Sequence, residues 1–119
     1  MSAHSIMGEI AEVGKMIPDP GTGQPIYCNQ YLAWIPIVTG SGAETNTLPD
    51  PSYAGMELTL FHKTDGGGNR VITASTAINS TGNNTITLGD AGDILELKSV
   101  PKAAGTFKWL EIANNGASL

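Results

Sequence analysis

Cysteine occurs once in this chain, at Cys28, so no disulfide can form within it and the fold must hold by non-covalent packing. Charge is also scarce: only 14% of the 119 residues are charged, 6 basic against 11 acidic, for a formal net charge of -5. The basic residues Lys15, Lys63, Arg70, Lys98, Lys102 and Lys108 stand singly. Nucleic-acid recognition needs such residues clustered to release phosphate counterions, so a nucleic-acid partner is not expected. No apolar stretch approaches the roughly 20 residues of a membrane span. Met1 to Ile10 has no basic start followed by an apolar run, so no export signal is expected and assembly in a reducing cytoplasm fits the lone thiol. Long helical periodicity is missing too, since Gly or Pro interrupts every window of a dozen residues.

What remains is β-branched and apolar runs separated by turn clusters, the pattern of an all-β protein: a compact antiparallel sandwich or small jelly-roll-like barrel. The length suits one domain. Residues 1–30 read as an extended N-terminal arm, with a short strand at about Ile6 to Val13, and a connector, Pro18-Asp19-Pro20-Gly21-Thr22-Gly23-Gln24-Pro25, that resists helix and central strand alike. Two readings of Met1 to Gly14 stay open, a frayed terminus and an arm docked on a neighbour. Residues 31–119 read as the sandwich.

Tyr31 to Thr39 is apolar on both parities, so it is expected to be buried on both faces or covered by a partner. Pro36 marks it as an edge strand or a broken one. Gly40-Ser41-Gly42 opens a polar loop running to about Pro51. Met56 to Lys63 alternates, with Met56, Leu58, Leu60 and His62 on one side. Asp65 to Asn69 is a turn whose three glycines permit positive φ at more than one position. Further strands are expected at Arg70 to Ala74, Thr85 to Leu88, Asp93 to Val100 and Thr106 to Ala113, with a short one at Ala117 to Leu119 and a hairpin signal at Asn115-Gly116.

No catalytic or metal-binding pattern emerges. His4 and His62 are the only histidines, and neither belongs to a zinc spacing. Asp90 and Asp93 lack the alternating acids and distal glutamate of a calcium loop, and a turn with Asp capping backbone amides is the plainer reading. Gly40-Ser41-Gly42 is not a nucleophile elbow, and Gly66-Gly67-Gly68 lacks the Lys-Ser/Thr of a phosphate loop, so both read as flexible turns. The expectation is no enzyme, no cofactor, no metal and no small-molecule substrate.

The run Thr47 to Phe61 (Leu48-Pro49, a turn, Gly55, then the alternating strand) looks like an element of phage structural proteins. The succession Asn84-Thr85-Ile86-Thr87-Leu88-Gly89-Asp90-Ala91-Gly92-Asp93-Ile94-Leu95-Glu96-Leu97, then Phe107-Lys108-Trp109-Leu110-Glu111-Ile112 and Asn114-Asn115-Gly116, resembles the C-terminal half of tailed-bacteriophage head decoration (capsid cement) proteins and fibre-base modules. The resemblance covers residues 45–119. It implies a structural virion protein on the capsid exterior, a homotrimer that binds the major capsid protein and stabilises the expanded head without making or breaking a bond. Candidate interface residues are Ile6, Ile10, Pro18 and Pro20 of the arm and connector, and Tyr31, Trp34, Ile35 and Ile37 of the apolar strand. The alternative is a tail fibre, baseplate-associated or carbohydrate-binding β-sandwich module.

Overall fold

The structure is a computed structural model that describes residues 15–119. In them the chain forms β1 (Lys15–Met16), β2 (Leu32–Val38), β3 (Glu44–Leu48), β4 (Glu57–Thr64), β5 (Arg70–Ala74), β6 (Thr85–Leu88), β7 (Ile94–Ala103) and β8 (Thr106–Asn115). One sheet has the order β1-β2-β4-β7-β8, the other β3-β5-β6. This is the all-β, two-sheet arrangement the sequence leads one to expect. The expected strand at Ile6 to Val13 lies outside the described residues.

The ladders are mixed rather than antiparallel throughout. β1–β2, β2–β4 and β3–β5 run parallel, while β4–β7, β5–β6 and β7–β8 run antiparallel. From β2 to β5 successive strands alternate between the two sheets, and each short arch reverses the chain. Two reversals restore the original direction, so β4 arrives beside β2, and β5 beside β3, running the same way. Parallel neighbours need such a crossover, and here a strand of the opposite sheet supplies it.

Between the sheets lies an aliphatic core: Ala33, Ile35 and Ile37 of β2, Leu58 and Leu60 of β4, Leu95 and Leu97 of β7, facing Leu48, Ile72, Ile86 and Leu88 of the smaller sheet. Each fully buried Leu or Ile contributes about 1.5–3 kcal/mol. Trp109 closes one end and donates its indole N–H to Pro49 O at 3.1 Å. The alternation expected from Met56 to Lys63 holds, with Met56, Leu58, Leu60 and His62 all buried.

Three local expectations need correction. The segment after Gly42 is not a loop through to Pro51, because it contains β3, whose inward positions are Asn46 and Leu48. Asn115-Gly116 does not close a hairpin; it turns the chain off β8 so that Ser118 pairs with Thr87 of the other sheet, which reduces the expected Ala117 to Leu119 strand to one bridge. The tight hairpin is instead Ala104-Gly105, where Gly105 takes φ 76° between the paired Ala103 and Thr106.

Nor is the triple-glycine segment simply flexible. Only Gly67 has positive φ, 110°. Gly66 and Gly68 press against the backbone of Thr39 to Gly42, and Gly68 N–H donates to Gly40 O at 2.9 Å. A Cβ on Gly68 would fall on the Gly42 carbonyl, and one on Gly66 on the Thr39 carbonyl.

Candidate interaction surface

β2 is half-buried within its own chain. Ala33, Ile35 and Ile37 are in the core, while Trp34 (41% exposed) and Val38 (48%) face outward. Ile35 and Ile37, candidates for an interface, thus belong to the interior and have no surface to offer. Register sets Met16 beside Trp34, Trp34 beside Thr59 and Thr59 beside Glu96; in the next row Pro36 lies beside Phe61, and Phe61 beside Ile94. The outward face of the larger sheet therefore carries an apolar corner, Met16, Trp34, Pro36, Val38, Phe61 and Ile94, bordered by the polar side chains of Thr59 and Glu96. Tyr31 is also exposed, at 67%.

Pro36 does not break β2. The Trp34 C=O accepts from Ile17 N–H, so the even-numbered residues of β2 turn their backbones toward β1. β1 ends at Met16, and the side of Pro36 that lacks an N–H faces no strand. The expectation of an edge is met locally in a strand that is otherwise internal.

The connector is fixed to the body by Arg70, a residue that seemed isolated in the sequence. Arg70 is 1% exposed. Its guanidinium meets Asp19 bidentately at 2.8 and 3.0 Å, and also Glu44 Oε1 at 2.7 Å, Asn46 Oδ1 at 2.8 Å and Val38 O at 3.2 Å, so every donor has an acceptor. Asp19 in turn accepts the amides of Gly21 at 2.9 Å and Val38 at 3.0 Å, and Asn46 Nδ2 donates to Gly21 O and Gln24 O. Burial alone would raise the Asp19 pKa, but Arg70 and the Val38 and Gly21 amides hold it below the ordinary value. Glu44 is lowered by the Gly40 amide and then by Arg70.

Pinned this way, the connector runs along the sandwich: Pro25 bridges to Thr47, and Ile26 enters the core. Pro18, Pro20, Pro25 and Tyr27 surround an apolar notch of about 200 Å³ over Ile26 and Ile35. The structure therefore brings Pro18 and Pro20 together at the notch and sets Trp34 on the sheet face. Ile6 and Ile10 lie outside the described residues. Sequence reasoning missed Met16, Val38, Phe61 and Ile94 as surface and Arg70 as an anchor. Local patterning carried no signal for Arg70, whose partner Asp19 is 51 residues away.

His62 is fully buried. Its Nε2 lies 3.0 Å from Thr39 Oγ1, which also accepts Gly66 N–H and reaches Thr64 O. With the hydroxyl proton directed to Thr64 O, Nε2 must be the donor, and Nδ1 is left without a hydrogen-bond partner among the described residues. Thr39→Val keeps the shape but strands both the histidine N–H and the Gly66 amide. We expect a loss of about 1–3 kcal/mol, read from urea unfolding. Asp93 does cap its turn, accepting Gly89 and Asp90 amides at 3.0 and 2.9 Å. Among the described residues no group of three or more His, Cys, Asp or Glu is placed to hold a metal ion.

A scan against protein-family models finds no match for this sequence, and a search of curated proteins finds none either.

Proposed function

We propose that this protein is structural, a decorating protein of the tailed-phage head type, which assembles as a homotrimer and stabilises an expanded coat by adding contact area between coat subunits. The observation that carries the reading is the open apolar corner of the larger sheet, with Met16 at 67% and Trp34 at 41% exposure on a face that nothing in the chain's described residues covers. Contiguous apolar surface of this kind marks protein contact sites. The resemblance over residues 45–119 supplies the kind of partner. The reading requires no chemical step, only binding that favours one lattice state: a ligand at about 100 times its Kd stabilises the state it binds by about 2.7 kcal/mol per site. Three linked copies add avidity where they reach their sites together.

Expanded heads of the parent phage, incubated with the purified protein, should bind it and resist thermal disruption to a higher temperature. Heads that neither bind it nor gain stability would overturn the reading. Self-association has its own test. Light scattering after size exclusion should give the trimer mass for the natural sequence and the monomer mass for Trp34→Lys, with unfolding free energy changed by less than about 1 kcal/mol because the replaced side chain is a surface one. A natural chain that is monomeric at every concentration would remove the trimer.

A further inference from the structure

Each sheet ends in strands whose outward backbone groups need partners, and this fold satisfies nearly all of its own. The outer edge of β3 is met by the connector, with Gly23 N–H on Thr45 O and Ile26 N–H on Thr47 O. The edge of β6 is met by the tail, where Thr87 and Ser118 exchange two hydrogen bonds. Where β2 outruns β1, Pro36 has no N–H, Val38 N–H is taken by Asp19 and Val38 C=O by Arg70. β1 itself is 2 residues long.

β8 is the exception, with 10 residues at the far edge of the larger sheet. Its outward groups can be identified. Ser99 of β7 turns its N–H and C=O toward the β4 side, bonding Met56 O and Gly55 N–H, and Ser99 is paired with Trp109. The backbone of Trp109 therefore points away from β7, and so do those of Phe107 and Glu111. Glu111 confirms the parity by donating to Ile78 O at 2.7 Å. The N–H and C=O of both Phe107 and Trp109 have no hydrogen-bond partner among the described residues.

We propose that Thr106 to Leu110 of β8 receives an extended acidic segment of another protein, which adds to the larger sheet as a further strand. The identity of that protein, a coat subunit, rests on the function proposed above; the edge itself does not. The open groups specify an extended backbone with donor and acceptor at alternate residues. Lys108 specifies the charge. It lies between the two open residues and forms no ion pair among the described residues. A second copy fits this edge poorly. Antiparallel self-pairing that satisfies both open residues must set Phe107 against Trp109 of the other copy, which places the two Lys108 side chains directly opposite each other, a destabilising like-charge pair. Moving the register centre to Trp109 brings in Glu111, whose N–H is already used. An acidic residue opposite Lys108 turns the same contact into an attraction.

The test uses a short synthetic strand peptide of alternating Thr and Val with a central Glu, and a twin with a central Lys, each titrated into the full chain while amide exchange is followed by NMR. The Glu peptide should slow exchange at Phe107 and Trp109 and bind up to about fivefold tighter than the Lys peptide. Lys108→Glu should invert that order. Phe107→Pro, which removes an outward N–H and leaves the β7 ladder intact, should weaken both peptides. Equal binding of the two peptides, or no protection by either, would overturn the proposal. So would protection of Phe107 and Trp109 in the protein alone: if it fades on dilution a second copy fills the edge, and if it persists residues 1–14 of the same chain do. Heads that bind the protein while the peptides fail would sink the edge and spare the proposed function. Peptides that bind while heads fail would do the reverse.

Discussion

Arg70→Met should lower the free energy of unfolding by about 3–5 kcal/mol, because it leaves two partly buried carboxylates facing each other without their cation. That is a large share of the stability of a typical domain, about 5–15 kcal/mol. The loss combines two effects. The guanidinium meets Asp19, Glu44, Asn46 and Val38 at once, and Asp19 is what holds the connector against the end of β2. Lysine cannot reproduce a planar fork, so Arg70→Lys should recover only part of the loss. Acid titration gives a second readout. Asp19 and Glu44 both have folded-state pKa values below their ordinary ones. Their contribution is therefore present above the unfolded carboxylate value, about 4, and is lost as pH falls through the folded values. The natural protein should weaken on acidification from about pH 4 downward. In Arg70→Met this dependence should flatten or reverse, since protonation then relieves repulsion. Urea midpoints across a pH series decide it, and parallel acid limbs in the two proteins would show that Arg70 does not hold these carboxylates.

Gly68→Ala should cost about 3 kcal/mol, the upper part of the range for overpacking, since the obstacle is the Gly42 backbone rather than a side chain that can swing aside. Its neighbour serves as an internal control. Gly67 has open space around its Cβ direction but φ 110°, so Gly67→Ala should cost about 1–2 kcal/mol through backbone conformation alone. Asparagine separates the two causes. It tolerates positive φ better than alanine and should be milder than alanine at Gly67, whereas its greater bulk should make it worse at Gly68. Matching rank orders at both positions, measured by thermal unfolding, would refute the assignment of separate causes.

Strands were legible in the sequence where alternation met turn chemistry. Arg70–Ala74 and Thr85–Leu88 are bounded by glycine- and asparagine-rich turns, and both occur at the residues expected. β3 was hidden because one of its inward positions is Asn46, which serves Arg70 and the connector and so spoils the apolar alternation. Parallel pairing was not legible either. Turn residues announce that a chain reverses, but not whether it folds back beside itself or over onto the opposite layer. The same limit applies to β2: with apolar residues on both parities, only the packing decides that Ile35 goes inside and Trp34 stays out. Arg70 lay in plain sight as one of few basic residues, but nothing local linked it to Asp19 across 51 positions.

The alternation of β2, β3, β4 and β5 between the two sheets has a kinetic consequence. Neither layer can be completed before the other, because the crossover that brings β4 beside β2 is itself a strand of the smaller sheet. No hairpin spans that region to serve as a local nucleus, so ordering it means closing several loops before their contacts reward them, which slows folding. The chain should therefore fold in a single concerted transition, and a fragment cut between β3 and β4 should remain unstructured on either side of the cut.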